Sequence, residues 1–189
     1  MSFVGGVGYS NIDLIYSGLD RLPDKGEEIF ARGFSMQFGG GIPATMINLS
    51  RLGVESRIIT FAGHDLFSEF VKKTLNSYPV KTVNLYKGNK MPVVLSSTLL
   101  YCGDRSFISY TDGMDLNDAV MDEVYENLKG AYVVDMHVGF LDVYKRLKKD
   151  GCIQIFDTGW EDDLTLEKYK DYLLSLIHIS EPTRHLRIS

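Results

Sequence analysis

The chain has 189 residues, with 20 Lys and Arg against 25 Asp and Glu, a formal charge of −5 and 44% hydrophobic residues. That is the make-up of one globular domain or part of a larger one, and an acidic balance without a basic block argues against nucleic acid as the main partner. No run of about 18 apolar residues is present to cross a bilayer, and Met1 to Gly6 has no basic segment ahead of an apolar core, so no membrane partner and a cytoplasmic location are expected. Cys102 and Cys152 form no Cys-x-x-Cys pair and suggest neither a disulfide framework nor a zinc site. Both are expected to be reduced, buried small residues.

Residues 3–7 are a short apolar run broken by glycine and predict a buried strand. Phe34, Met36 and Phe38 alternate with Ser35 and Gln37, a period of two that suits a half-exposed strand. Helical spacing follows over 43–52, a strand over 57–61 and a helix over 66–77. Between 93 and 110 two strands meet at Gly103-Asp104, a pair suited to a tight hairpin. A helix is predicted over 118–129, where Val120, Val124 and Leu128 make the apolar stripe, Asn117 the cap and Gly130 the stop. Strand 131–136 leads to helix 141–149, whose wet face is Lys145, Arg146, Lys148 and Lys149, and strand 152–156 closes the series. Alternating strands and helices imply an α/β fold with a layered, mostly parallel sheet flanked by helices. The segments near 28–38 and 93–110 break that rhythm and predict a small accessory β-sheet, or else edge strands that extend the main one.

From Leu174 to Arg184, eleven consecutive residues are similar to the translation of a transposase adapter used in DNA sequencing. Residues 174–189 are therefore expected to be a non-native tail, and residues 1–173 a single truncated domain whose natural chain continues past Leu173.

In an open parallel sheet, ligands bind beyond the carboxyl ends of the strands, where loops converge and helix N-termini point free N–H groups inward. Asn11 and Asp13 stand at alternate positions after the first strand, so in extended backbone both point the same way and could hold the hydroxyls of a polyol, or form Asx-turns. Gly39, Gly40 and Gly41 precede Pro43 at a helix start, where bare backbone could approach a ligand or simply turn. Their spacing matches neither a phosphate-binding P-loop nor a dinucleotide fingerprint, and Gly6-Val7-Gly8-Tyr9-Ser10-Asn11 lacks the third glycine. His137 at a strand end could contact a ligand or be a satisfied, partly buried side chain. Neither it nor His64, in Gly63-His64-Asp65, has the companions of a metal site. Asp157-Thr158-Gly159 could order a loop, a cation or a helix end.

Taken in order, these pieces resemble the ribokinase-like, or phosphofructokinase-B-type, carbohydrate kinases. Val7 to Leu14 is similar to the family's opening strand with its substrate aspartate, and Arg21 to Glu27 to its Leu-Pro-x-x-Gly-Glu passage. Phe38-Gly39-Gly40-Gly41, the run Ile47 to Gly53 and Gly63-His64-Asp65-Leu66-Phe67 resemble the first family signature. The resemblance implies ATP-dependent phosphorylation of a sugar hydroxyl with Mg2+ in the complete protein. Asn11 and Asp13 would bind sugar hydroxyls, the backbone of Gly39, Gly40 and Gly41 would line the pocket, and His137 would stand where some members place a sugar-contacting group. The accessory sheet would be a lid and a candidate homodimer surface. Ala44 departs from the family's asparagine, though a shift of one residue brings Thr45 there, and Ser68 stands where glycine is usual. The Asn-x-x-Glu and Gly-Ala-Gly-Asp motifs are absent, so no catalytic residue or metal ligand is assigned and this chain alone is expected to be inactive. A sugar sensor or a nucleoside kinase of the same fold, and a nucleotide-dependent oxidoreductase, are the alternatives.

Overall fold

The computed structural model describes residues 2–158 and 164–176. Its first sheet holds five parallel strands, β1 (Phe3–Val7), β4 (Ser56–Thr60), β5 (Lys81–Asn84), β8 (Ala131–Met136) and β9 (Ile153–Phe156), in the order β5-β4-β1-β8-β9. The second holds β2 (Asn11–Leu19), β3 (Gly33–Gly39), β6 (Val94–Tyr101) and β7 (Asp104–Tyr110), in the order β3-β2-β6-β7. The helices are α1 (Gly41–Arg51), α2 (Leu66–Asn76), α3 (Asp118–Leu128), α4 (Leu141–Lys149) and α5 (Leu166–Ser175).

Each face of the five-stranded sheet has its own core. Ile58 points to one side, where it meets Ile42, Met46 and Ile47 of α1 and Val71 and Leu75 of α2. Its neighbour Ile59 points to the other and packs with Val124 and Leu128 of α3 and Tyr144 and Leu147 of α4. Strands buried on both faces need apolar residues at successive positions, which is why β1, β4 and β8 read as continuous runs. Gly6 in the middle strand and Gly8 just beyond it face α1. A Cβ on Gly6 would stand 2.5 Å from Ile42 Cγ2, and one on Gly8 2.8 Å from Ile42 Cγ1. The Gly-Val-Gly run thus lets the first turn of α1 settle onto the sheet.

The four-stranded sheet is a separate layer, not an extension of the main one. Two expectations about it need correction. Residues 28–32 are not strand, and one of the sheet's two inner strands is β2, which begins at Asn11 directly after the first strand and its short connection. The hairpin turn is Cys102-Gly103, at φ of 50° and 76°, with Tyr101 paired to Asp104. Positive φ at both central residues matches the twist of the flanking strands. That places Cys102 at an exposed apex, so it is not buried, whereas Cys152 is.

Helix α5 contains Leu174 and Ser175, and Ser175 is buried with its hydroxyl donating to the Tyr172 carbonyl at 2.6 Å. The remaining tail from 177 on, and Gly159, lie outside the described residues.

Candidate functional site

Strand β2 starts with Asn11 and Asp13 on one face, in register with Gly39 and Gln37 of β3 and with Val94 and Ser96 of β6. The Asn11 amide donates to Asp13 Oδ1 at 2.9 Å, and the Ser96 hydroxyl donates to Asn11 Oδ1 at 3.3 Å. Ser96 in turn shares a hydrogen bond with Ser109 of β7 at 2.8 Å. Four strands therefore contribute one polar row, Gln37, Asp13, Ser96 and Ser109. Burial raises the Asp13 carboxyl above its ordinary range, while the Asn11 amide and the Arg105 charge oppose that rise.

The glycine triplet lies against this row. A Cβ on Gly39 would stand 2.7 Å from Asp13 Oδ2, so only glycine lets the carboxylate lie against the β3 backbone. Gly40 has φ of 102°, and a Cβ there would be 2.8 Å from the Tyr9 carbonyl. Both features exclude other residues. Gly41 opens α1 and has no heavy atom within 4 Å of its Cβ direction, so it fronts open space. The first turn of α1 contains no acidic side chain, which leaves its N–H groups available to an incoming acceptor.

His137 follows β8 and is half-buried. Its backbone N–H donates to the hydroxyl of Tyr144 at 2.8 Å, and that of Gly139 donates to Tyr172 at 2.7 Å. Two buried tyrosines, from α4 and α5, thus fix the loop from beneath. The imidazole meets the Tyr9 ring edge-on at 5.7 Å. Since the Tyr9 carbonyl is the atom that crowds Gly40, this residue joins the His137 loop to the glycines. Asn11, Asp13 and the three glycines thus lie together where β1, β2 and α1 meet, and His137 is linked to them through Tyr9.

One member of the neighbourhood was not anticipated. Asp135 pairs with Gly6 of β1 and so points to the α1 face, where the Thr45 hydroxyl lies beside it. Burial pushes its carboxyl up to about 6, against the opposing effect of Thr45 and with a further rise from the Asp157 charge. Its signal in the sequence is a lone carboxylate inside an apolar run. Ala44 and Thr45 both lie on the exposed side of α1, and the Thr45 hydroxyl donates to the Gly41 carbonyl at 3.0 Å.

Gly63-His64-Asp65 has a local structural role. Asp65 caps α2, accepting from the N–H groups of Phe67 and Ser68 at 3.0 and 2.9 Å. The buried Ser68 hydroxyl donates to Asp65 at 2.6 Å and accepts from the Gly63 N–H at 2.8 Å. Although burial raises it, those hydrogen bonds hold the Asp65 carboxyl below its ordinary range. Serine at this position therefore ties the loop to the helix. A cavity of about 590 Å3 lies apart from the junction, between the 85–90 and 112–117 loops.

The model of the pfkB carbohydrate kinase family matches residues 1–185. A provisionally named sugar kinase of Pyrococcus horikoshii is 35% identical over 92 residues, which covers 46% of this chain and 30% of that protein. The structure of Arabidopsis thaliana ribokinase with ribose and ATP superposes with a TM-score of 0.68 at 22% identity, covering 86% of this chain and 55% of that one. Thermotoga maritima ribokinase superposes at 0.74 with 17% identity, covering 95% and 59%. The chain thus spans about a third of its curated relative and a little over half of these two structures. With the fold, the glycine-lined junction and the family match in agreement, this chain belongs to the pfkB family of carbohydrate kinases.

Proposed function

We propose that the complete protein phosphorylates a sugar hydroxyl with Mg·ATP, and that the present chain carries the sugar-binding half of that site. The observation that carries this reading is the approach of Asp13 Oδ2 to the bare backbone of Gly39, beside the open N-terminus of α1. A carboxylate, an amide and the uncapped start of a helix brought together offer both acceptors and donors to a polyol. In this reading Asn11 and Asp13 hold two hydroxyls, Gly40 and Gly41 line the pocket with main chain, and His137 contacts the far side. The accessory sheet closes over the sugar and excludes water, which favours transfer over hydrolysis. ATP and Mg2+ would supply the phosphoryl group and neutralise its charge. No residue of this chain is assigned to either, because the sequence contains neither Asn-x-x-Glu nor Gly-Ala-Gly-Asp. In this reading the complete protein works in the cytoplasm, where ATP is abundant.

The lid also supports a homodimer. Register places Met36, Leu14, Ser97 and Ile108 in one row and Phe34, Tyr16 and Leu99 in the next, on the face opposite Asp13. Phe34, Met36 and Ile108 are exposed there, as is Tyr110. A second copy packed on this face would cover them.

The test is saturation-transfer NMR of the 1–189 chain with D-ribose, D-fructose, D-glucose and adenosine. Binding of at least one sugar, abolished by Asp13→Ala, is expected. Failure of all four to bind, or sugar-dependent ADP formation by this chain alone, contradicts the assignment.

A further inference from the structure

The face of the four-stranded sheet that carries Asp13 continues beyond the polar row. The next row holds Ser35, Ile15, Thr98 and Phe107, and Arg105 stands one row further on the same face, opposite Leu100 of β6. Among the described residues of these rows, Asp13 is the one acid and Arg105 the one base.

The Arg105 side chain runs back toward Asp13. Its guanidinium carbon lies 5.4 Å from the centre of the Phe107 ring, and Phe107 stands between Arg105 and Ser109 along β7. In agreement with that direction, the Arg105 charge opposes the rise of the Asp13 carboxyl. Two other arginines beside the sheet are already taken up by carboxylates, Arg21 by Glu27 and Arg32 by Asp20. Arg105 has no carboxylate partner among the described residues. A guanidinium held over an aromatic ring with its fork of donors unused suits a carboxylate or a phosphate.

The two charges give the face a direction. Asp13 accepts from hydroxyls and repels an anion, whereas Arg105 attracts one. Neighbouring rows are roughly 7 Å apart, about the length of a hexose, and Phe107, 53% exposed, offers apolar ground for the carbon chain between them. We propose that Arg105 is a specificity-determining residue: the sugar carries a carboxylate or phosphate at the end remote from the hydroxyls held by Asp13. This rests on reading the junction as a sugar site. The chain as a whole is acidic, so an anionic sugar gains nothing from the overall charge and any preference for it must be local.

Calorimetry on the 1–189 chain at low salt tests this. D-glucose, D-glucose 6-phosphate and D-glucuronate differ only at C6, and D-ribose 5-phosphate and D-fructose 6-phosphate are compared with their parents. For at least one sugar the anionic form should bind roughly tenfold more tightly than the neutral parent, the value of one hydrogen bond between charged groups. Within the glucose set, the larger gain identifies the group as carboxylate or phosphate. Arg105→Gln should bring the ratio of anionic to neutral affinity close to one, and Arg105→Lys should keep part of it. Because Arg105 is exposed, both variants should fold. Equal affinity for parent and anion in wild type overturns the proposal, as does a preference that survives Arg105→Gln. In either case neutral-sugar binding that is lost in Asp13→Ala leaves the sugar site standing. If no sugar binds, neutral or anionic, the sugar reading falls and the role of Arg105 with it.

Discussion

Gly40 carries the tightest backbone constraint in the site. Its φ of 102° lies where side chains are not accommodated, and the Tyr9 carbonyl occupies the space a methyl would need. Gly40→Ala should cost about 1–3 kcal/mol in chemical denaturation and weaken sugar binding, because the turn also aims Gly39 and Gly41. Asp135 should behave in the opposite way. Its carboxyl is raised to about 6 in the fold, so the stability it supports is full below about pH 4 and is lost as pH rises through 6. Asp135→Asn should therefore be about 2–3 kcal/mol more stable than wild type at pH 7 and no more stable at pH 4, as read from urea midpoints at both values. At this scale the sequence was informative where chemistry was local. Asn11 and Asp13 were legible because alternation in extended backbone fixes their direction. Asp135 was not, because the position of α1 over β8 is a tertiary fact.

Among the elements, those with full periodicity were read to within a residue or two. Helix α3 starts at its Asn117 cap, which accepts from Val120 N–H at 3.1 Å, and α4 spans the residues its stripe implies. Strand β5 was missed because Lys81-Thr82-Val83-Asn84 is a short, polar edge. The membership of β2 in the four-stranded sheet was missed for a different reason: its partners β3 and β6 are distant in sequence or defined only by register, and one of them pairs in parallel. Ser68 shows how a departure from a family pattern can be structural. It joins Gly63 to the α2 cap, so Ser68→Gly should cost about 1–3 kcal/mol through a buried N–H left without an acceptor. Thermal unfolding of that variant, beside an unchanged ribose affinity, would separate this role from ligand binding.

For the whole molecule, the two cores on either face of the parallel sheet make the rigid base, and the four-stranded sheet stands on it with both faces partly open. The polar face holds the Asn11 to Ser109 network, and the other carries Phe34, Met36 and Ile108. Light scattering of the chain should give a dimer that Ile108→Lys converts to monomer; a wild-type monomer at 100 micromolar, a concentration of roughly the order at which weak dimers form, would contradict the proposed homodimer. The β1, β2 and α1 junction is the claim on which the rest depends. Amide shift mapping of the labelled 1–189 chain with saturating D-ribose tests it most directly. The account predicts that the largest changes fall on Asn11, Asp13, Gly39 to Gly41 and His137. Changes centred instead on the cavity between the 85–90 and 112–117 loops, with the glycine triplet unmoved, would contradict it.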